Sequence, residues 1–243
     1  MKTVISSGRV KPKKDVWTII SLSILFLFAL FMIYPLVMLL RNSAVDPSGK
    51  LTFGYFERFL SRPYYAGTIA NSFKVSISAA FLALVIGVPI AYFMNMYKIK
   101  GAKMLQIVII MSSMSAPFIG AYSWILLLGR NGLISNFIKS LIGIKIPSIY
   151  GFRGIMLVLC LQLFPLVFLY VSGALRNIDN SLLEASENMG CSGAKRFFTL
   201  IIPLCMPTII AAALMVFMRA FADFGTPLFI GEGYRTFPVE IYN

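Results

Sequence analysis

Few side chains in this sequence could carry chemistry, and the residue types that are missing exclude several kinds of site. The 243 residues contain no histidine, which excludes a Ser-His-Asp or Cys-His catalytic arrangement and a histidine-ligated metal site. The three cysteines, Cys160, Cys191 and Cys205, lack a CxxC spacing and predict free thiols. No glycine-rich phosphate loop ending in Gly-Lys-Ser or Gly-Lys-Thr occurs. We therefore expect no catalytic residue, no metal and no cofactor, and we interpret the protein as not an enzyme.

The most informative stretch lies between residues 180 and 207, where cap residues, a glycine and two prolines follow one another. Ser181 and Glu184 have the spacing of a capping box, in which both side chains bond backbone amides at a helix start. Gly190 would end this short helix in the left-handed conformation, and a second helix would lead to Pro203. We call residues 180–203 the knuckle. Two short helices at an angle suit docking in the groove of another protein.

The composition indicates which kind of helices must position the knuckle, because the chain is unusually apolar. Apolar residues make up 58% of the chain and charged residues 13%, and the mean hydropathy is +0.83. A typical soluble domain carries about 25% charged residues, and a chain of 27.0 kDa cannot bury this much apolar surface in one core. The sequence therefore predicts an all-α polytopic protein of the lipid bilayer. We interpret the net charge of +13 as a membrane-orientation signal and expect no nucleic-acid partner.

Five uncharged runs of 22 to 26 residues are each long enough for a membrane-spanning helix, which needs about 20 apolar residues. Every run contains a proline, which neighbouring helices tolerate inside a membrane. The first run exceeds the length of a signal-peptide core, so we interpret it as a retained span. The five predicted spans cover about 16–40, 70–97, 104–129, 154–175 and 204–223.

Lysine and arginine in the connections predict the orientation, because they collect on the cytoplasmic side. With the N-terminus inside, the inner segments carry 11 of these residues in 49 positions, against 9 in 72 for the outer segments. Residues 1–15 would then form a cytoplasmic basic arm, and the loop 176–203 with the knuckle would also be cytoplasmic. On the outside, the segment 130–150 has its apolar residues on one helical face and predicts a short amphipathic surface helix.

Arg219 and Asp223 are the notable charges near the end of the fifth predicted span. They are four residues apart and could form an ion pair on one helix face. Charges within a membrane segment are usually paired or functional. Two interpretations stay open: a structural pair or interfacial anchor, and a place in the translocation path of a solute.

The knuckle resembles the EAA motif of permeases in binding-protein-dependent ABC importers of type I. The glycine, an aromatic residue and a proline follow the glutamate by 6, 13 and 19 residues, as in that family. Serine replaces the third residue of the motif, usually alanine, which is a near-isosteric departure. The stretch 222–231 is also similar to the ferric-iron branch of the family. The matched positions are Glu184, Ala185, Ser186, Gly190, Phe197 and Pro203.

This resemblance implies the fold, the partners and the location. Residues 16–243 would form a transmembrane permease domain in the cytoplasmic (inner) membrane. The six matched residues would contact a separate dimer of ATP-binding-cassette ATPases. An extracytoplasmic binding protein would deliver the solute, and a second permease half, fused or separate, would complete the pathway. Ferric iron is the first choice of solute, with 2-aminoethylphosphonate, a polyamine and thiamine as alternatives.

Two further expectations concern the rival class and the length of the chain. An ion-coupled secondary transporter would be expected to hold acidic residues inside its spans, and only Asp223 comes near to this. Members of the resembled family usually have a sixth span. No apolar run of that length follows residue 223, so we expect these residues to be the N-terminal part of a longer permease.

Overall fold

The computed structural model describes residues 16–46, 49–97, 99–114, 117–142, 149–191 and 193–242. The predicted basic arm at residues 1–15 lies outside the described residues. The chain divides into two compact units, Met1–Arg62 and Pro63–Asn243.

Within its described residues, the first unit contains one long apolar helix and one short helix. Helix α1 covers Val16–Ala44 and α2 covers Gly54–Ser61. A π-helical turn at Ala29–Ile33 interrupts α1 just before Pro35. Proline has no amide hydrogen and its ring clashes with the carbonyl four residues earlier, so a wider turn accommodates it. No described residue of α1 is buried within the chain, so its apolar surface is left for lipid or protein.

The second unit contains nine helices in the residues that the structure describes. A second π-helical turn, Phe197–Ile201, precedes Pro203 and repeats the arrangement before Pro35. In chain order the helices are α3 Pro63–Met96, α4 Ala102–Ser113, α5 Pro117–Leu128, α6 Leu133–Ile142, α7 Phe152–Arg176, α8 Asn180–Asn188, α9 Gly193–Phe221, α10 Gly225–Ile230 and α11 Phe237–Tyr242.

Helix α7 is the centre of the second unit and packs against both α3 and α9, which also contact each other. Small residues on α3 permit a close approach of the backbones, as is common between membrane helices. At Gly87 an added Cβ would lie 2.7 Å from the Cβ of Val167. Val167, Phe168 and Val171 of α7 are fully buried in this interface. The three helices together form the frame of the second unit.

Four helices of the described chain are long and apolar enough to cross a membrane: α1, α3, α7 and α9. A fifth crossing is present if the bent pair of α4 and the following helical segment counts as one span. The all-α, polytopic fold class is therefore confirmed.

The third predicted span, 104–129, is sharply bent in the structure. Instead of one straight helix over 104–129, the axis turns by 109° between Ala102–Ser113 and Phe118–Leu141. Pro117 begins α5 and cannot donate a backbone hydrogen bond to a continuing helix. Helix α3 also starts earlier than the predicted span 70–97, at Pro63.

The amphipathic helix expected in the segment 130–150 is present as α6, Leu133–Ile142. Leu133, Phe137 and Leu141 are exposed along one side of it. This apolar side is the kind of surface that lies against the headgroup region of a bilayer.

Candidate functional site

The first arm of the knuckle is helix α8, and it begins at a cap that differs from the predicted one. The side chain of Asp179 accepts a hydrogen bond from the backbone amide of Ser181 at 3.0 Å. The capping box expected from Ser181 and Glu184 is therefore wrong. A carboxylate also interacts favourably with the positive end of the helix dipole. The hydrogen bond from the Ser181 amide lowers the pKa of Asp179 below its ordinary value.

The turn between the two arms has the hydrogen bonds of a Schellman motif. The amide of Cys191 donates to the carbonyl of Ser186 at 2.9 Å, and the amide of Gly190 donates to the carbonyl of Glu187 at 2.9 Å. Gly190 has φ of +76°, so the predicted left-handed glycine is confirmed. Gly193, with φ of +55°, is a second left-handed glycine that the sequence analysis missed. These bonds fix the angle between the arms through the backbone alone.

The second arm of the knuckle is the beginning of α9, and side chains brace it against its surroundings. Arg196 forms an ion pair with Glu187 of the first arm. The ring of Phe197 packs on Tyr92 of α3, with ring centroids 4.7 Å apart. Neither contact follows from local spacing, and the sequence analysis missed both Glu187 and Tyr92.

The six residues matched to the EAA motif occupy different environments. Glu184, Ala185 and Gly190 are exposed on the knuckle, next to the exposed apolar side chains of Leu182 and Met189.

The other three matched residues do not share that exposed surface. Ser186 and Phe197 are half-buried, and the Ser186 hydroxyl donates to the carbonyl of Leu183 at 2.7 Å. Pro203 lies six residues beyond Phe197 on α9, directly after the π-helical turn. The knuckle thus combines an exposed tip with residues that set its shape.

A cavity of about 380 Å³ lies between α5, α7 and the end of α9. Its wall is largely apolar, and three polar side chains face it: Gln162, Arg219 and Asp223. The apolar side chains of the wall are Phe118, Leu159, Leu163 and Phe224. The structure therefore brings Arg219 and Asp223 to one cavity, together with Gln162, which the sequence analysis missed.

Arg219 and Asp223 do not form the structural pair that their spacing allowed. Among the residues that the structure describes, no ion pair joins them. Helix α9 ends at Phe221, so Asp223 is no longer on the same helix face. One oxygen of Asp223 accepts from the amide of Gly225 at 3.2 Å.

Two buried acceptors at this cavity lack a hydrogen bond of good geometry to the described part of the chain, and the buried hydroxyl of Thr226 lies near the Asp223 carboxylate. They are the second carboxylate oxygen, Oδ2, of Asp223 and the side-chain carbonyl of Gln162. A buried acceptor without a donor is costly, and such groups are often found where a protein binds something. The cavity is therefore a polar site enclosed mainly by apolar walls.

A separate polar network joins the Pro63 end of α3 to the segment 233–240, at the end of α3 opposite the knuckle. The hydroxyl of Tyr64 donates to Glu240 at 2.8 Å and accepts from Arg235 at 2.8 Å. Asn71 donates to the backbone carbonyl of Arg235 at 3.1 Å. Contacts between α3 and this late segment hold the chain together at that end.

Residues 83–243 match the family described as the inner membrane component of binding-protein-dependent transport systems. The chain belongs to this family. Its all-α fold and its apolar spans agree with an inner membrane component of such a system.

Two relatives of this permease show the range of names in the family. The ferric transport system permease protein FbpB of Actinobacillus pleuropneumoniae is 30% identical over 224 residues, which cover 91% of this chain. The spermidine/putrescine transport system permease protein PotB of Haemophilus influenzae is 27% identical over 213 residues, covering 84% of this chain and 74% of PotB. The chain spans 32% of the length of the ferric relative.

A solved structure has the same fold as this permease. It is a bacterial ABC transporter involved in the import of the acidic polysaccharide alginate, and the match has a TM-score of 0.72 at 17% sequence identity. The match covers 93% of this chain and 83% of the transporter chain. The predicted fold of an ABC importer permease is thereby confirmed.

Proposed function

We propose that the protein is the membrane-spanning part of an ATP-driven importer, which moves a solute delivered by an extracytoplasmic binding protein into the cytoplasm. The knuckle carries this proposal, because its exposed tip has the form of a docking element and its sequence matches the family's coupling motif. Family membership over residues 83–243 supports the same function. A second permease half, fused or separate, would complete the pathway.

The proposed docking surface for the ATPase is the exposed tip of the knuckle. Leu182 and Met189 supply apolar contact area, and Glu184 supplies a charge beside them. Short helices with exposed apolar residues dock in hydrophobic grooves of their partners. Closure of the ATPase dimer would move the knuckle as one body, since its turn and its ion pair hold the two arms together. The coupling is mechanical and needs no catalytic residue in this chain.

The proposed solute path includes the cavity formed by Gln162, Arg219 and Asp223. A cationic solute could satisfy the two buried oxygen acceptors, either by coordination or by donating hydrogen bonds, and these acceptors otherwise raise the free energy of the folded chain. Arg219 offers the opposite charge in the same cavity. Apolar walls around a few convergent polar groups are typical of small-molecule sites.

Ferric iron is the proposed solute. The support is the 30% identity to a relative named as a ferric transport permease. A polyamine is the second candidate, because the spermidine/putrescine permease is 27% identical and this chain matches 74% of its length. The cavity chemistry supports a polar or charged solute and does not separate these two.

The proposed orientation places the N-terminus and the knuckle in the cytoplasm. On a cysteine-free background, a cysteine at Lys50 should react with a membrane-impermeant thiol reagent in intact cells. A cysteine at Glu187 should react only after the membrane is opened. The reverse pattern would overturn the orientation.

The function is tested by purification and uptake. The full-length permease should co-purify with an ATP-binding subunit, and proteoliposomes with the binding protein should take up radiolabelled ferric iron only with ATP. Uptake of labelled spermidine in place of iron would select the second candidate. Uptake that persists without ATP and collapses with an ionophore would instead identify an ion-coupled secondary transporter.

A further inference from the structure

The chain on either side of the knuckle's turn is attached to one place in the membrane frame, the C-terminal end of α3: once just before the first arm, at Arg176, and once in the second arm, at Phe197. We propose that Asn95 and Tyr92 at this end of α3 are positioning residues, which fix the knuckle relative to the spans and pass its movement to them. The proposal rests on the proposed function, in which an ATPase docks on the knuckle. Neither residue belongs to the matched motif.

The first attachment holds the chain just before the knuckle. Arg176, the last residue of α7, donates from Nε to the side-chain oxygen of Asn95 at 3.3 Å and from Nη2 to Gln106 at 3.1 Å. The nitrogen of the Asn95 side chain donates to the hydroxyl of Ser172 at 3.0 Å. It also donates to the carbonyl of Ala91 at 2.8 Å. One guanidinium therefore ties three helices together, α3, α4 and α7, three residues before the Asp179 cap.

The second attachment holds the chain after the turn of the knuckle. Tyr92 is buried, and its ring carries Phe197 at a centroid distance of 4.7 Å. A small cavity beside this contact is lined by Pro89 and Phe93 of α3 and by Ala194 of α9. The second arm thus lies along the same end of α3 that binds Arg176.

The two attachments connect both ends of the knuckle to neighbouring residues of one helix. Asn95 and Tyr92 are three residues apart on α3 and so lie on neighbouring positions of its surface. From Arg176 at the end of α7, which bonds to α3, the chain passes through both arms, and Phe197 of the second arm contacts α3 again. The ion pair of Arg196 with Glu187 links the two arms directly across the turn between them. Because the knuckle is held at both ends, a push on its tip acts on α3 and α7 together.

Residues that only stabilise the fold would make the same contacts. The test must therefore measure whether nucleotide binding at the ATPase still changes the cavity. The full-length permease with its ATP-binding subunit is placed on a cysteine-free background with Ala222→Cys, which lines the cavity. The measured quantity is the rate of thiol labelling with ATP and vanadate divided by the rate without nucleotide. This ratio requires no knowledge of the solute.

We expect Asn95→Leu and Arg176→Leu each to reduce the nucleotide-dependent change in labelling by about fivefold or more, since each removes a charge-assisted hydrogen bond. The double variant should lose less than the sum of the two single losses, because the two residues share one interaction. Asn95→Asp should keep the response, because a carboxylate can still accept from Arg176. Tyr92→Leu should lose the response, because it removes the ring on which Phe197 packs. Tyr92→Phe keeps that ring and removes only the hydroxyl beside Arg196, so it should lose less than Tyr92→Leu.

Asn71→Leu is the matched control, because it removes a side-chain hydrogen bond at the other end of the same helix. It should keep the response. If Asn95→Leu and Arg176→Leu respond like the parent while the ATP-binding subunit stays bound, the positioning role is wrong and the proposed function stands. An equal loss in Asn71→Leu would show general loosening and would also overturn the role. A parent that binds no ATP-binding subunit removes the proposed function and this inference together.

Discussion

The knuckle and the cavity belong to the same helical unit, yet different kinds of interaction build them. The knuckle depends on backbone conformation: a left-handed glycine, two turn hydrogen bonds and an acidic cap, all within fifteen residues of each other. The cavity depends on side chains from helices that are far apart in sequence, such as Phe118, Gln162 and Asp223. Changes in the knuckle should therefore act on docking, and changes in the cavity should act on passage of the solute.

The largest expected effect is that of Gly190→Val. A β-branched residue at φ of +76° is strained by about 1–3 kcal/mol, although a Cβ there would meet no atom within 4 Å. The strain should open the turn, so co-purification of the ATP-binding subunit should fall by more than about tenfold while membrane insertion is unchanged. Gly173→Val is the control, because Gly173 also has open space but ordinary helical backbone. Retained co-purification in Gly190→Val would contradict the docking role of the turn.

The second largest effect is expected from a change in the cavity. Asp223→Ala should lower ATP-dependent uptake by roughly tenfold, a loss of about 1.4 kcal/mol, if its carboxylate meets the solute. Binding of the ATP-binding subunit should not change. Asp223→Asn keeps the shape and the acceptor for the Gly225 amide, so it separates the charge from the turn. A loss of subunit binding in either variant would break the division between the two regions.

A smaller effect is expected from the ion pair within the knuckle. Glu187→Gln removes the charge opposite Arg196, whose side chain is mostly buried while that of Glu187 is mostly exposed. Partly exposed pairs contribute about 0.2–1 kcal/mol. Binding of the ATP-binding subunit should weaken by no more than about fivefold. The difference between Glu187→Gln and the parent should become smaller at high salt. An effect as large as that of Gly190→Val would show that side chains, not the backbone turn, hold the arms together.

The smallest effect is the pH dependence of the cap. The pKa of Asp179 is lowered in the folded chain, so its contribution to stability is fully present above the unfolded-state pKa. The contribution is lost as the pH falls through the lowered folded value. Proteolysis of the loop 176–203 in acid should therefore become faster as the pH approaches that value. Asp179→Asn can still cap the helix and should abolish this pH dependence.

Local patterns predicted the knuckle well, because its geometry is encoded by neighbours in sequence. Gly190, the length of the first arm and the start of the second arm all follow from turn and cap rules. The wrong prediction at Ser181 is a competition between two adjacent cap candidates, which the carboxylate of Asp179 wins. Composition alone likewise identified the apolar runs.

The features that sequence analysis missed depend on contacts between distant segments. Spacing placed Arg219 and Asp223 on one helix, but α9 ends between them. The partner of Arg176 is 81 residues away and that of Phe197 is on the same distant helix, so no local rule could pair them. The turn of 109° in the third predicted span was missed because an uncharged run gives the length of an apolar segment but not its direction.

The π-helical turn at Phe197–Ile201 has a consequence for helical phase. A π turn holds one residue more than an α turn, so every later side chain is rotated by about 100° around the axis. The same helix therefore directs Phe197 towards α3 and, about six turns later, Arg219 towards the cavity in a phase that an uninterrupted α-helix would not give. The one extra residue in this turn therefore sets the angle around the α9 axis between the side chain of Phe197 and that of Arg219.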